Sequence, residues 1–245
     1  MINFSGLSQD ALWGRLLRVP LRMIPGRTVV RVLQGQLRGA RWIVDSGPHG
    51  YWLGSYESLK QRELGRHVRP GSVAFDIGAQ AGFYSLLLSR LVGPEGLVVA
   101  FEPVPGNYAR TLEHVLLNRC RNVTAVQAAV ADFNGTSRFD LGPSSSMGRM
   151  SPGGATTVTV VSLDQWVADN RTPMPEVLKI DVEGAEASVL DGAEDILRKA
   201  RPALFIALHG PDARRDCLAR LARRGYRVEP LGAESLDETD EIFAH

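Results

Sequence analysis

The sequence predicts an α/β fold: a Rossmann-like, doubly wound, mostly parallel sheet over residues 54–245, preceded by an accessory helix and β-hairpin segment over residues 1–53. Three observations carry this. Strand-length apolar runs alternate with segments of helical period, one of those strands runs into a Gly-rich turn, and acids follow three successive strands. At 245 residues the chain suits one large core with a short appendage, since cores stop growing near roughly 250 residues.

Taken in order, an amphipathic stretch (Leu12, Trp13, Leu16, Leu17) breaks at Pro20 and Pro25. Two β-type runs follow, around Thr28–Leu33 and Ala40–Val44, with Gly35 and Gly39 bracketing the turn between them. A polar helix is expected from Gly54 to His67, ended by Pro70-Gly71. Strands are then expected over Val73–Ile77, Val98–Glu102, Val123–Ala129, Val177–Val182, Leu204–Leu208 and Tyr226–Pro230. Helices are expected over Phe83–Val92, Asn107–Asn118, Ala185–Ala200 and Asp212–Arg224, with Leu112, Val115 and Leu116 showing the period in the second. Each crossover helix returns the chain to the same edge, which makes the sheet parallel. Phe139–Val161 interrupts the alternation with Gly-Pro, Ser144-Ser145-Ser146 and Pro152-Gly153-Gly154 before a β-branched run. It reads as a long mobile loop between two short strands, either a lid or plain disorder.

Composition narrows the function. With 44% hydrophobic and 22% charged residues and a net charge of +1, neither a nucleic-acid-wide basic field nor an acidic disordered chain is indicated. Seven arginines (Arg15, Arg18, Arg22, Arg27, Arg31, Arg38, Arg41) and no acid fall between Ala11 and Val44, while Glu234, Asp237, Glu238, Asp240 and Glu241 crowd the last stretch. The basic run is a solvated face, or a contact for an anionic membrane surface or phospho-sugar. Cys120 and Cys217 stand apart with no Cys/His cluster, so neither disulfides nor zinc are expected. No apolar run approaches the roughly 20 residues of a membrane span, and no leader pattern opens the chain, so a cytoplasmic location is expected.

The strongest chemical signal is Val73-Ala-Phe-Asp76-Ile-Gly78-Ala79-Gln80-Ala-Gly82-Phe83-Tyr84, a buried strand entering a Gly-rich turn and a helix. Its glycines permit close backbone approach, and the helix start offers free N–H groups. The spacing is not the G-x-G-x-x-G of dinucleotide folds. Glu102 ends the next strand, before Pro103, where a carboxylate accepts from both hydroxyls of a ribose. Asp132 follows the third strand, placed either to accept from an adenine amino group or to serve a turn. Asp181 and Glu183, two apart on a strand, point to one face at its C-terminal edge, where open α/β sheets bind ligands.

With Gly54-Ser-Tyr56-Glu57, Phe101-Glu102-Pro103, Asn118, Ala131-Asp132 and Leu178-Lys-Ile-Asp181-Val-Glu183-Gly184-Ala-Glu186, these motifs resemble the FkbM-type family of class I methyltransferases. These enzymes use S-adenosylmethionine (SAM) on a seven-stranded sheet. The resemblance spans roughly Gly54–Gly210. It implies that Asp76, Gly78 and Gly82 line the methionine and sugar parts of SAM, that Glu102 takes the ribose and Asp132 the adenine, and that Asp181 lies near the methionine ammonium or reacting methyl. Ala79, Phe83, Tyr84, Pro103 and Asn107 belong to the same expected cofactor site. Two departures stand out: Gln80 where the family has Asn, and Ala207 where an acid is common.

Methyl transfer needs alignment and removal of one proton from a hydroxyl acceptor. Glu183 is the first candidate base and His209 the second, with Asp181 suited to binding. Lys179 is expected to pair with an acid, and His49 to contact substrate. The implied reaction is O-methylation of a sugar, glycolipid or polyketide-like molecule, free or linked to a glycan or lipid, giving S-adenosylhomocysteine (SAH). An NAD-dependent oxidoreductase and a non-catalytic SAM-binding protein are the other readings. The carboxylates leave a divalent metal open without supplying a dedicated ligand set.

Overall fold

The computed structural model describes residues 24–142 and 148–245; the amphipathic stretch at Leu12–Leu17, Arg15, Arg18, Arg22 and the Ser144–Ser146 run lie outside them. Strands β1 (Val29–Arg31) and β2 (Arg41–Ile43) pair antiparallel, with left-handed Gly35 and Gly39 in their connection. Helices α1 (Gly50–Leu53) and α2 (Ser58–His67) follow. Then come β3 (Val73–Ile77), α3 (Phe83–Val92), β4 (Leu97–Phe101), α4 (Pro105–Leu117) and β5 (Val123–Val126). An excursion forms β6 (Ala129–Val130), β7 (Gly135–Asp140), β8 (Arg149–Met150) and β9 (Thr156–Val161). The second half runs α5 (Leu163–Asn170), β10 (Val177–Ile180), α6 (Glu186–Asp191), α7 (Glu194–Lys199), β11 (Ala203–Ala207), α8 (Pro211–Arg223), β12 (Val228–Pro230) and β13 (Glu241–Ala244).

Among the described residues the main sheet has seven strands in the order β12-β13-β11-β10-β3-β4-β5, all parallel from β11 to β5, with β13 antiparallel to both of its neighbours. Strands β3, β10 and β11 are sealed on both faces, which is why they read as continuous apolar runs. One face packs Phe75, Leu178, Ile180 and Ile206 against Leu190 and Ile196; the other packs Leu87, Val98 and Phe205 with Trp42 of the hairpin. Among the described residues no helix is long and apolar enough to cross a membrane. Both cysteines are free.

Several expected elements are corrected. The single strand over Val123–Ala129 is two strands in different sheets, because the chain leaves the main sheet after β5. The helix over Ala185–Ala200 is two helices: a Cβ on Gly192 would stand 2.0 Å from the carbonyl oxygen of Ala131, so the chain breaks at a close crossing. Helix α5 was not foreseen, nor was β13, hidden in a run of acids. Asp164 of α5 caps the start of α7, accepting from the amides of Asp195 and Ile196 at 2.8 and 3.0 Å.

The mobile loop expected over Phe139–Val161 is, in its described part, mostly sheet. Strand β7 pairs with β9 from Gly135↔Val160 to Phe139↔Thr156, and Phe139, Val158 and Val160 are buried with Ala129 and Ala131. One of the glycines that suggested looseness marks contact: a Cβ on Gly154 would lie 2.3 Å from the carbonyl carbon of Phe139. Amides of β7 and β9 are therefore expected to show exchange protection in the ligand-free protein like that of the main sheet's edge strands. Exchange at exposed-loop rates would restore the mobile reading.

Candidate active site

The chain winds outward from β3 to β5 and then returns to β10 on β3's other side, so the C-terminal ends of β3 and β10 flank the point where the winding reverses. Crevices form at such points. Here Asp181 N–H donates to Ile77 O at 3.0 Å, and a Cβ on Gly78 would stand 1.8 Å from Asp181 O, so no other residue fits at position 78. A cleft of about 290 Å³ opens along this edge.

Its lining changes character strand by strand. Beyond β5 it is apolar, with Ala128, Val130, Phe139 and Met150; Glu102 follows β4, Gly78 and Ala79 follow β3, Asp181 and Glu183 follow β10, and His209 follows β11. With strands about 4.8 Å apart, β5 to β10 spans about 14 Å.

The turn after β3 is braced from both sides. Gly78 and Ala79 N–H donate to Phe101 O, and Thr111 of α4 donates to Gln80 O at 2.7 Å. Gln80 sits at φ +52, a left-handed conformation that Asn enters more readily than Gln. Its side-chain oxygen accepts from the Tyr51 hydroxyl at 2.6 Å. The hairpin reaches the same turn through His114: Nε2 accepts from Ile43 N–H at 3.0 Å, Nδ1–H donates to Ala81 O at 2.7 Å, and the ring stacks on Trp42. Burial lowers the His114 pKa, consistent with that neutral tautomer.

Glu102 is 5% exposed. Its oxygens accept from Gln80 N–H at 2.8 Å and Val104 N–H at 2.9 Å, with Asn107 at 3.4 Å. Burial pushes its pKa up to about 7, against the lowering effect of those donors. Lys179, sealed in β10, donates to Gly78 O at 2.9 Å and stands 3.2 Å from Asp76 and 3.7 Å from Asp181. Burial alone would lower its pKa, but the two carboxylates outweigh it and raise it. Asp181 is raised by burial and pulled lower overall by Lys179, Lys60 and His209, so it stays ionised.

Glu183 and Gly184 form a left-handed turn (φ +54 and +101) that carries Glu183 to the cleft; convergence with Asp181 comes from this turn rather than from strand alternation. Burial raises the Glu183 pKa; His209 opposes the rise, and Asp181 and Glu186 add to it. His209 Nδ1 lies 2.7 Å from Glu186, and Nε2 is 3.7 Å from both Asp181 and Glu183. The Glu186 bond, with the other two carboxylates, raises the His209 pKa to about 9 against the opposing effect of burial. Asp181, Glu183 and His209 hold ligand-type atoms within 4.8 Å of one another.

Most expected site residues therefore meet here: Gly78, Ala79, Phe83, Tyr84, Glu102, Pro103, Asn107, Asp181, Glu183 and His209 all line the cleft. Asp76 and Gly82 stand behind its wall, Asp76 fully buried with Ser85 and Lys179, and Gly82 at the start of α3 with φ +84. Asp132 is not in the cleft: it is exposed and accepts from the Ser188 hydroxyl at 2.6 Å, leaving the edge beyond β5 to Ala128–Val130. His49 accepts from the Trp52 indole at 3.2 Å, outside the cleft lining, and Asn118 pairs with the backbone of Arg41 at the hairpin edge. Tyr51, Glu57, Glu186 and Glu241 were missed. Glu57 and Glu241 flank buried Lys60 at 3.3 and 2.7 Å, and Glu57 accepts from the Tyr84 hydroxyl.

Residues 76–228 match a family described as "Methyltransferase FkbM domain". The chain is 30% identical over 140 residues to hexuronic acid methyltransferase AglP of Haloferax volcanii, covering 56% of each protein. It is 28% identical over 215 residues to 31-O-demethyl-FK506 methyltransferase FkbM of Streptomyces tacrolimicus, covering 74% of this chain and 79% of that one. It superposes on methyltransferase FkbM from Methylobacillus flagellatus with a TM-score of 0.52 at 18% identity, over 81% of this chain and 55% of the other. On precorrin-6y C5,15-methyltransferase from Geobacter metallireducens the values are 0.51 and 17%, over 77% and 84%. The structural likeness, at such identities, speaks to the fold. The chain spans little more than half the length of AglP and of the M. flagellatus protein.

Proposed function

The chain belongs to the FkbM methyltransferase family, and from that premise we propose that it transfers the methyl group of SAM to a hydroxyl of a sugar, glycolipid or polyketide-like acceptor. The observation that carries this reading is the order of chemistry along the sheet edge: apolar beyond β5, a buried carboxylate after β4, bare backbone after β3, and an ionic cluster after β10 and β11. That order suits a molecule with a flat purine at one end, a diol in the middle and a charged amino-acid tail. Glu102 would hold the diol, Asp181 the ammonium group, and Phe139, Met150 and Val130 the ring.

SAM, when bound, supplies a methyl group already activated by its sulfonium. The chain's own residues then have two tasks. The braced turn and the cleft walls fix geometry, which is worth roughly 7 to 11 kcal/mol in favourable cases. Glu183, at the open edge and partly solvated, takes the acceptor proton as the new O–CH₃ bond forms and SAH is left. The two relatives, one named for a hexuronic acid and the other for 31-O-demethyl-FK506, support a hydroxyl-bearing acceptor of sugar or polyketide type.

Calorimetry with SAM, SAH and NAD, followed by mass spectrometry on methyl glycosides, uronates, glycolipids and macrolactones, tests the reading. Binding of SAM and SAH but not NAD is expected, with one acceptor class gaining a single CH₂ in mass. Preferential NAD binding would move the chain to the oxidoreductases; SAM binding without methylated product would leave a binding protein.

A further inference from the structure

Glu186 is a fully buried acid on the first turn of α6, and it takes no direct part in the chemistry above. Its Oε1 accepts from Gly184 N–H at 3.0 Å and lies 2.7 Å from His209 Nδ1, while its Oε2 has no partner. His209 enters the cleft from the end of β11, with about a third of its side chain exposed (32%). Its Nε2 stands 3.7 Å from oxygens of both Asp181 and Glu183, too far for a hydrogen bond and near enough for strong attraction. Among the described residues the charged groups around the ring are these three carboxylates, from the end of β10, the turn that follows it, and α6. Behind Glu186, Cys217 of α8 is an uncharged thiol, its pKa pushed by burial up to about 12.

We propose that Glu186 is a positioning residue that fixes His209 through Nδ1–H and keeps it an imidazolium, so that Nε2–H is presented to an acceptor oxygen beside Glu183. Geometry leaves that nitrogen for a ligand: one ring nitrogen is committed behind the wall, and the other faces the cleft at a non-bonding distance from both neighbouring acids. Among the described residues Lys179 is the other cation in the lining, and it is sealed against Asp76 and Gly78, so of the two His209 is the one an acceptor meets. His209 then donates and does not abstract, which leaves proton removal to Glu183. The acceptor part of the proposal rests on the methyltransferase reading; the Glu186–His209 pair does not.

Ring-nitrogen NMR of the histidines tests the pair without any acceptor. In the wild type both His209 nitrogens are expected to be protonated at pH 7 and to titrate near pH 9. Glu186→Gln is expected to lower that midpoint by about 1 to 3 pH units, and Glu183→Gln by less, since its oxygen is farther away. A neutral His209 at pH 7, or a larger shift from Glu183→Gln than from Glu186→Gln, overturns the proposal. So does Mn²⁺ binding at Asp181, Glu183 and His209, because a nitrogen that ligates a metal cannot carry the proton. With the acceptor found by the product screen, His209→Ala is expected to raise its KM about 10- to 150-fold, a larger change than any in SAM affinity; an unchanged KM removes His209 from the acceptor. A wild type that binds no SAM refutes the methyltransferase reading, whereas intact SAM binding with neutral His209 refutes the Glu186 proposal alone.

Discussion

Glu183→Gln is expected to lower turnover by about 10² to 10⁴ while SAM affinity changes little. The substitution keeps the size of the side chain and removes its capacity to take a proton. Glu183 is held out to the cleft by two consecutive left-handed residues and is 28% exposed, so it can meet both an acceptor and solvent. Burial, reinforced by Asp181 and Glu186, raises its pKa above the ordinary carboxylate value, and His209 limits that rise. A base acts in its ionised form, so wild-type activity is expected to rise with pH through this group, and the rise is expected to vanish in the variant. The competing role, a charge favourable to the start of α6, predicts a loss of only about 0.3 to 1 kcal/mol in stability and nearly normal turnover. That role also fits less well, since the acid on the first helical turn is Glu186. Steady-state kinetics over a pH series decides between them.

Glu102→Ala is expected to weaken SAM about 10- to 150-fold, the loss of hydrogen bonds to a charged group worth roughly 1.5 to 3 kcal/mol. The carboxylate has two backbone amides and Asn107 for partners and is almost sealed from solvent, and burial pushes its pKa up to about 7. A diol donates to the ionised form. Wild-type affinity should therefore fall as pH drops below about 7, and the variant should lose that dependence. Calorimetry at several pH values measures both, and a wild-type affinity that ignores pH together with an unaffected variant would take Glu102 out of the site.

Much of this was legible in the sequence because the central strands are buried on both faces, and the acids at their ends carry both topology and chemistry. Asp76-Ile-Gly78, Phe101-Glu102-Pro103 and Lys179-Ile-Asp181 each join a strand end to the edge of the cleft. What escaped depends on pairing between distant segments. Gly154 and Gly192 look like flexible residues and are points of backbone contact with Phe139 and Ala131. Glu241 lies in an acidic run whose periodicity says nothing of its place opposite Ala207, where it faces the cleft and neutralises Lys60. Glu186 was visible within a motif, yet only burial and the bond to His209 give it a task. Asp132 shows the opposite error: an acid at the right distance after a strand, turned outward to Ser188 because the chain has already left the main sheet.

Strand β13 follows every other described strand in the chain yet lies inside the main sheet, between β11 and β12. On the ribosome, where synthesis runs at about 5 to 20 residues per second, β3, β4, β5, β10 and β11 all emerge before it. Until residues 241–244 arrive, β11 presents an unpaired row of amides and carbonyls to the cell, the kind of edge on which other chains add. Lys60 meanwhile has Glu57 beside it without Glu241. The inner pairing of the sheet and the lining of the cleft are thus completed by the same four residues, so a nascent chain keeps an open strand edge until it also has Glu241.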